Sequence, residues 1–278
     1  MTANALASQK HHPAQSIPTL ALTTGITSTI GMEFHRAFEE RGFHSIGFAR
    51  GKMKAEAKMT QPLVQLDLLD FDAVQACVAT LPLSQFQRII WVHSVGKFAF
   101  EANGLPSKDL DQDGIDDEVF HANVTTSMNF LRALIVEMKR QCFSATLQFC
   151  LFGSTSADYP TPFWPSFAKS KQLLSTLAQM EITRHAQMDI FGVMAKLSTV
   201  DSPTLSCQRE IKDVTYFLSA QEVVEKTLPH LLLPQTRWRE LNIFKPRQDF
   251  NPSWYWDAQK IKERWTSTRK ASETATNP

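Results

Sequence analysis

Short apolar runs rich in β-forming residues recur along the chain and alternate with segments whose apolar residues fall three or four positions apart. The first pattern predicts strands and the second predicts amphipathic helices. Six strands are predicted at 20–24, 44–48, 63–66, 89–93, 146–152 and 189–195, and a seventh at 241–244, after a helix at 220–231. The helical spacing is seen in four groups: Ile30, Phe34 and Phe38; Val74, Cys77 and Val78; Phe130, Leu131, Leu134, Ile135 and Met138; Leu173, Leu174 and Leu177.

The alternation of strand and helix predicts the α/β class. Right-handed crossovers between parallel strands place helices on both faces of the sheet, so we expect a three-layer, Rossmann-type, doubly wound parallel sheet. The chain has 278 residues, of which 43% are hydrophobic, and this is enough for one such core. A single domain is therefore predicted at 18–265, with flexible polar tails at 1–17 and 266–278.

Composition and charge narrow the possible partners. Lys and Arg total 29 against 28 Asp and Glu, so the charge balance favours neither nucleic acid nor an anionic membrane surface. No uninterrupted apolar segment is long enough to cross a bilayer, and the N-terminal residues lack the apolar core of a secretory signal. The charge balance thus favours a small-molecule substrate. The cysteines have no metal-ligand spacing, which favours reduced thiols and a cytoplasmic protein. They are Cys77, Cys142, Cys150 and Cys207.

A glycine-containing segment joins the first predicted strand to a helix predicted at 32–41. Residues 24–31 have the sequence Thr-Gly-Ile-Thr-Ser-Thr-Ile-Gly. A turn from strand to helix points backbone N–H groups and the positive helix end at a phosphate, and glycine permits close approach. The alternative is an ordinary turn with a packing glycine. The candidate cofactor-binding residues here are Thr24, Gly25, Thr27, Ser28, Thr29, Ile30 and Gly31.

A second cofactor signal follows the second strand. Dinucleotide-binding proteins that prefer NAD usually place a carboxylate there, whereas an arginine accommodates the 2′-phosphate of NADP. This chain has Arg50, with Lys52 close by. We therefore predict NADP(H), and less strongly NAD(H), with a solvated basic loop as the alternative.

The order of these motifs resembles the short-chain dehydrogenase/reductase family, whose glycine motif reads Thr-Gly-x-x-x-Gly-x-Gly. Thr29 stands where that motif has its middle glycine. Asp67 resembles the family's adenine-contacting aspartate, with a helix N-cap as the alternative. After the fourth strand the family has Asn-Asn-Ala-Gly, and this chain has His93, Ser94, Val95 and Gly96, of which the glycine alone matches. For His93, a hydrogen-bonded structural role is favoured over that of a catalytic base.

The resemblance also implies a catalytic set of Asn, Ser, Tyr and Lys. Asn123, Ser154 and Lys171 match three of them, but Phe167 stands at the tyrosine position. The spacing of 167 and 171 places both on one helix face. The alternative register, from Lys169, would put Pro165 at the position of the acid. After the sixth strand, Thr199 matches the family's nicotinamide-contacting threonine, although Met194 and Ala195 show that the preceding segment departs from its pattern.

Two hypotheses follow from the missing phenol. The first is an NADP(H)-dependent reductase of a carbonyl or an activated C=C bond, with a non-standard proton donor. The second is a cofactor-binding pseudoenzyme that acts as a regulatory or assembly subunit. Tyr159 and Tyr216 are candidate donors, although a packing role is favoured for each. The resemblance implies a homodimer or homotetramer under both hypotheses.

An acidic segment resembles the start of a calcium-binding loop. Asp109, Asp111 and Asp113 alternate before Gly114, but Phe120 stands where such a loop needs its bidentate glutamate. A solvated acidic loop is therefore favoured, and no metal site is predicted.

Overall fold

A sheet of seven parallel strands forms the centre of the molecule, in the order β3-β2-β1-β4-β5-β6-β7. The computed structural model describes residues 17–51, 62–101, 115–141, 144–158, 163–202 and 217–245. The strands are β1 (Thr19–Thr24), β2 (His44–Ala49), β3 (Leu63–Gln65), β4 (Arg88–His93), β5 (Thr146–Ser154), β6 (Ile190–Leu197) and β7 (Trp238–Ile243). All seven predicted strands are therefore confirmed, although the limits of the domain stay a prediction.

Helices cover both faces of the sheet, as predicted. They are α1 (Thr29–Glu39), α2 (Phe71–Ala79), α3 (Asp117–Phe120), α4 (Thr126–Gln141), α5 (Pro165–Arg184) and α6 (Ala220–Leu232). Apolar residues of α2, α4 and α5 pack on one face of the sheet in one large core. Those of α1 and α6 pack on the other face in a second core. The three-layer Rossmann-type architecture is thus confirmed.

The central strands explain why the sequence forms a parallel sheet. Every residue of β1 is buried, and so are all residues of β4 and β5 except the first of each. Such continuous burial is typical of strands covered on both faces. The register aligns Thr24 with His93 and Phe48. The ends of these strands, where ligands bind in open α/β sheets, therefore lie side by side.

Two elements begin three residues before their predicted positions, and the other predicted strand limits differ by at most two residues. Helix α1 begins three residues before the predicted position, because Ser28 accepts a hydrogen bond from the Gly31 amide at 3.0 Å and caps the helix. Strand β7 likewise begins three residues early, at Trp238, where it pairs with Gly192 of β6. Within the described residues, no helix has the length and apolarity needed to span a membrane.

Candidate active site

The turn between β1 and α1 needs glycine at two positions. Gly25 has a φ of +79°, and a Cβ atom there would lie 2.8 Å from Val95 Cγ2 and 2.9 Å from the carbonyl carbon of Ser94. A Cβ atom on Gly31 would lie 2.5 Å from the Gly25 carbonyl oxygen. The turn is therefore in direct contact with the chain that leaves β4, and the absence of side chains makes this contact possible.

Hydrogen bonds of two serine side chains stabilise the turn. The Ser94 hydroxyl lies 3.0 Å from the carbonyl oxygens of both Thr24 and Gly25, and it accepts a hydrogen bond from the Ser28 hydroxyl at 3.0 Å. Thr27 and Thr29 are exposed, and the first turn of α1 carries no acidic residue. The start of α1 is therefore open and suited to a negatively charged group. Sequence reasoning did not foresee the bridge from Ser28 to Ser94.

A network of buried polar side chains stabilises the turn on its interior side. Thr24 Oγ1 lies 2.8 Å from His93 Nδ1 and accepts a hydrogen bond from Trp91 Nε1 at 3.0 Å, while His93 Nε2 lies 3.3 Å from the Thr126 hydroxyl. Burial and the charge of Lys171 lower the pKa of His93 to about 3, so the imidazole is neutral. These contacts agree with the structural interpretation of His93. They direct its side chain and that of Thr24 into the interior, away from the open face of the turn.

The residues proposed to contact adenosine follow the neighbouring strands β2 and β3. Arg50 follows β2 and is exposed, and its carbonyl oxygen accepts a hydrogen bond from the Gln65 side chain at 3.1 Å. Asp67 accepts a hydrogen bond from the Leu69 amide at 3.0 Å, but the residue that caps α2 is Asp70. The N-cap alternative for Asp67 is therefore wrong, because α2 begins three residues later than that role would require. Lys52 lies outside the described residues.

Asn123 lies in a π-helical turn, His121–Thr125, between α3 and α4. It is completely buried. Its Oδ1 accepts a hydrogen bond from the Lys97 amide, and its Nδ2 donates to the Lys97 carbonyl and the Ser170 hydroxyl, all at 2.9 Å. Ser170 in turn lies 2.8 Å from the Phe167 carbonyl oxygen. We call Lys97, Asn123 and Ser170 the Asn123 clamp, since they join the loop after β4, the π turn and α5.

Phe167 and Lys171 share one face of α5, as predicted. Lys171 Nζ lies 5.7 Å from the centroid of the Phe167 ring. Lys171 is 6% exposed, and burial lowers its pKa to about 8. A Cβ atom on Gly96 would lie 3.0 Å from Asn123 Oδ1 and 3.4 Å from Lys171 Nζ. Three residues predicted from separate motifs therefore meet at one point: Gly96, Asn123 and Lys171.

The remaining predicted residues lie at the ends of β5 and β6. Ser154 ends β5, is buried, and accepts a hydrogen bond from the Ser156 amide at 3.1 Å. Its hydroxyl proton is available to a further acceptor. Thr199 follows β6 and is half-buried, and its carbonyl accepts a hydrogen bond from the Leu218 amide at 2.9 Å. Tyr159 and Tyr216 lie outside the described residues.

An aromatic cluster adjoins Phe167 and was not foreseen from the sequence. The Phe167 ring meets Phe98 edge-on at 5.1 Å, and Phe98 packs on Trp164 at 5.8 Å. Beside this cluster, the buried Glu101 carboxylate accepts a hydrogen bond from the Ser166 amide at 3.2 Å at the start of α5, and burial raises its pKa. Phe167, which stands at the tyrosine position of the family that the sequence resembles, is therefore packed against aromatic rings. The start of its helix is held by backbone hydrogen bonds.

In the described part of the chain, no group of three His, Cys, Asp or Glu residues is arranged to hold a metal ion. The alternating aspartates before Gly114 lie outside it. Phe120, the residue at the twelfth position of that segment, ends α3.

The strand order and the glycine turn define a Rossmann-type α/β protein, and its fold is similar to that of solved short-chain dehydrogenases/reductases. Among similar solved structures is serine dehydrogenase from Escherichia coli, at 17% identity and a TM-score of 0.64, covering 83% of this chain and 100% of that one. An alcohol dehydrogenase from the archaeon Thermococcus sibiricus, solved with 5-hydroxy-NADP, has 16% identity and a TM-score of 0.62, with coverages of 84% and 99%.

A third similar structure is a variant of the actinorhodin polyketide ketoreductase with NADPH. It has 18% identity and a TM-score of 0.65, and the match covers 81% of this chain and 95% of that one. No protein-family model matches the sequence, and no curated protein matches it. At such low sequence identities, the structural similarity to these proteins establishes the fold of this chain.

Proposed function

We propose that this protein is an NADP(H)-dependent oxidoreductase that reduces a small-molecule carbonyl compound or an activated C=C bond without a phenol at position 167. The observation that carries the proposal is the meeting of Gly96, Asn123 and Lys171 beside an open glycine turn. The similar structures are dehydrogenases and a ketoreductase, two of them solved with an NADP form, which supports the same chemistry.

The residues present fit a nicotinamide dinucleotide. Gly25 and Gly31 leave the turn without the side chains that would obstruct it, and the start of α1 would face the pyrophosphate. Arg50 is exposed after β2 and would take the 2′-phosphate, which favours NADP(H). When bound, the cofactor supplies or accepts a hydride.

The protein's own part in the chemistry differs from that of a tyrosine-dependent reductase. Phe167 cannot donate a proton, and His93 is neutral and engaged by Thr24. Lys171 would hold the nicotinamide ribose, and the Ser154 hydroxyl would bind the substrate oxygen. A positioned general acid contributes about 10²–10⁴-fold to a rate, so a substrate that needs little protonation is favoured.

The test combines cofactor titration with a substrate panel. Purified protein is titrated with NADPH and NADH, and wild type and Phe167→Tyr are then assayed against ketones, aldehydes and enones. We expect tighter binding of NADPH than of NADH and turnover of at least one enone by the wild type. A protein that binds neither cofactor would overturn the proposal.

A cofactor-binding pseudoenzyme is the second candidate, and the packed Phe167 ring is the observation that favours it. In that case the wild type would bind NADPH without turnover, and Phe167→Tyr would gain ketone reduction. Turnover by the wild type would exclude the pseudoenzyme.

A further inference from the structure

The start of α5 has no cap of its own. Helices α1, α2, α3 and α6 each begin after a residue whose side chain accepts a hydrogen bond from the first turn, namely Ser28, Asp70, Asp116 and Ser219. The residue before α5 is Trp164, whose side chain provides no such acceptor. The acceptor comes instead from the loop after β4, where Glu101 Oε1 accepts a hydrogen bond from the Ser166 amide at 3.2 Å. A residue 65 positions away in the sequence therefore takes the role of an N-cap.

Glu101 is fixed at this position by a second hydrogen bond. Its amide donates to the Phe163 carbonyl at 2.7 Å, and the residue is 2% exposed. At the same residue of α5, the Ser166 hydroxyl accepts a hydrogen bond from the Asp116 amide at 3.0 Å. Because Asp116 caps α3, the starts of α3 and α5 and the loop after β4 meet at one junction.

The loop at 96–101 is attached to α5 near both of its ends. The Asn123 clamp holds its beginning, and Glu101 holds its end at the start of the helix. Between these two attachments, the Phe98 ring packs edge-on against Phe167 at 5.1 Å. Since Phe167 directly follows the residue that Glu101 binds, the two attachments together determine where this face of α5 lies against the loop.

A buried carboxyl group at this junction carries a free-energy cost. Burial raises the pKa of Glu101, and the charge of Asp116 acts in the same direction, whereas hydrogen bonds from Ser166 and the charge of Lys169 act against them. Among the described residues, Glu101 Oε2 has no hydrogen-bond partner. A glutamine would accept the same bond from the Ser166 amide without a buried charge. We therefore attribute the effect of Glu101 on α5 to the bond that Oε1 accepts, which a glutamine would preserve.

We propose that Glu101 is a positioning residue of the proposed active site: it holds the start of α5, and with it Phe167 and Lys171, against the loop that carries Gly96. The inference rests on the proposed function for the identity of the site. In that function Lys171 holds the nicotinamide ribose, so release of the helix start would disturb the nicotinamide half of the cofactor site. The residues proposed to contact adenosine follow β2 and β3, whereas α5 packs on β5 and β6, so the adenosine half should be unaffected.

Two ligands test the two halves of the cofactor site separately. Binding of NADPH and of adenosine 2′,5′-bisphosphate, which lacks the nicotinamide half, is measured by calorimetry for the wild type, Glu101→Leu and Glu101→Gln. We expect Glu101→Leu to bind NADPH about tenfold more weakly, from the loss of a helix-terminal hydrogen bond, and to bind the bisphosphate as tightly as the wild type does. Glu101→Gln should bind both ligands as the wild type does. Glu181→Leu is the matched control, because Glu181 is also 2% exposed but lies at the other end of α5, so its NADPH affinity should be unchanged.

The Ser166 amide proton tests the contact by NMR without a variant that loses the bond. In the wild type its resonance should move with pH as Glu101 titrates, above the usual range of a glutamate, because the oxygen that accepts this proton changes its charge. This transition should be absent from Glu101→Gln. A wild-type resonance without it would overturn the inference.

The binding results separate the positioning role from the proposed function. Unchanged NADPH affinity in Glu101→Leu, or an equal weakening of both ligands, would overturn the positioning role. A loss in Glu101→Gln as large as that in Glu101→Leu would also overturn it, since the bond is preserved there. A wild type that binds neither ligand but shows the Ser166 transition would overturn the oxidoreductase and leave Glu101 as a structural contact of α5 alone.

Discussion

At the scale of single residues, two glycines with positive φ differ in what surrounds them. Gly25 has a φ of +79° and is closely packed, whereas Gly42 has a φ of +70° and has no heavy atom within 4 Å of a Cβ position. We expect Gly42→Ala to lower the free energy of unfolding by about 1 kcal/mol, from backbone strain alone. Gly25→Ala should cost about 2–4 kcal/mol, because a steric clash is added.

Denaturant unfolding of both variants, together with NADPH titration, checks this prediction. Gly42 lies after α1, away from the turn, so Gly42→Ala should leave cofactor affinity unchanged while Gly25→Ala abolishes it. Equal costs for the two variants would show that the contact between the turn and Val95 is unimportant.

His93 predicts a dependence of stability on pH. Its pKa is about 3 in the folded protein and near 6.5 when unfolded, so the unfolded chain binds an additional proton between these values. The stabilisation is complete above pH 6.5 and is lost as the pH falls toward 3, at up to about 1.4 kcal/mol per pH unit. The free energy of unfolding should therefore fall more steeply in the wild type than in His93→Gln.

Urea unfolding at pH 7, 6 and 5 provides the measurement. Carboxylates titrate in both proteins, so the difference between the two curves isolates the histidine. Parallel curves would contradict a neutral, buried His93.

Which residues could be predicted depended on whether their contacts are local. The 167–171 spacing on α5 placed Phe167 beside Lys171, and the glycine turn was predicted to join the first strand to the first helix. Ser94 illustrates what could not be predicted. Its bond to Ser28 joins positions 66 residues apart, and a serine replacing an asparagine gives no sign of which partner it will meet.

At the scale of elements, the Asn123 clamp holds α5 against the π turn. Removing the Asn123 side chain would leave the half-buried Lys97 amide and carbonyl and the buried Ser170 hydroxyl without this partner, and each unsatisfied buried group costs about 1–3 kcal/mol. We expect Asn123→Ala to lower the free energy of unfolding by about 3 kcal/mol or more. Asn129→Ala, on the half-exposed side of α4, is the matched control and should cost less than half as much.

Chemical unfolding of the two variants measures this difference. NADPH titration should also show weaker binding by Asn123→Ala, because Lys171 would lose the support of Ser170 and the π turn. Similar stabilities for Asn123→Ala and Asn129→Ala would contradict the clamp.

Element boundaries, like single residues, could be predicted where the local sequence determines them and not where contacts between distant residues do. The order and type of the seven strands and of the five longer helices followed from periodicity, but the short helix α3 was not predicted. The start of α1 was placed late because the cap, Ser28, was assigned to a phosphate turn and not to a helix end. The π turn at 121–125 was not predicted, and the hydrogen bonds that Asn123 makes there join it to residues distant in the sequence, Lys97 and Ser170.

At the scale of the whole molecule, exposed apolar residues on two adjacent helices suggest self-association. Val136 on α4 is 53% exposed and Met180 on α5 is 50% exposed. We propose that these faces pair in a homodimer, as the resemblance to the reductase family implied. The double variant Val136→Lys, Met180→Lys should then sediment as a monomer, because buried like charges oppose association.

Sedimentation velocity compares this variant with the wild type and with Leu69→Lys. Leu69 is also exposed, but it precedes α2, away from the proposed contact. The control should sediment as the wild type does. A monomeric wild type would contradict the dimer.

The parallel sheet also bears on how the protein emerges from the ribosome. β1 finds its partner β4 only after about seventy further residues have been made, since Thr24 pairs with His93. The turn after β1 is complete once Ser94 has arrived to bind Ser28. During synthesis, β1 and α1 therefore exist for some time without one side of the proposed dinucleotide site, and we expect a nascent chain to gain cofactor affinity only after β4 has left the exit tunnel.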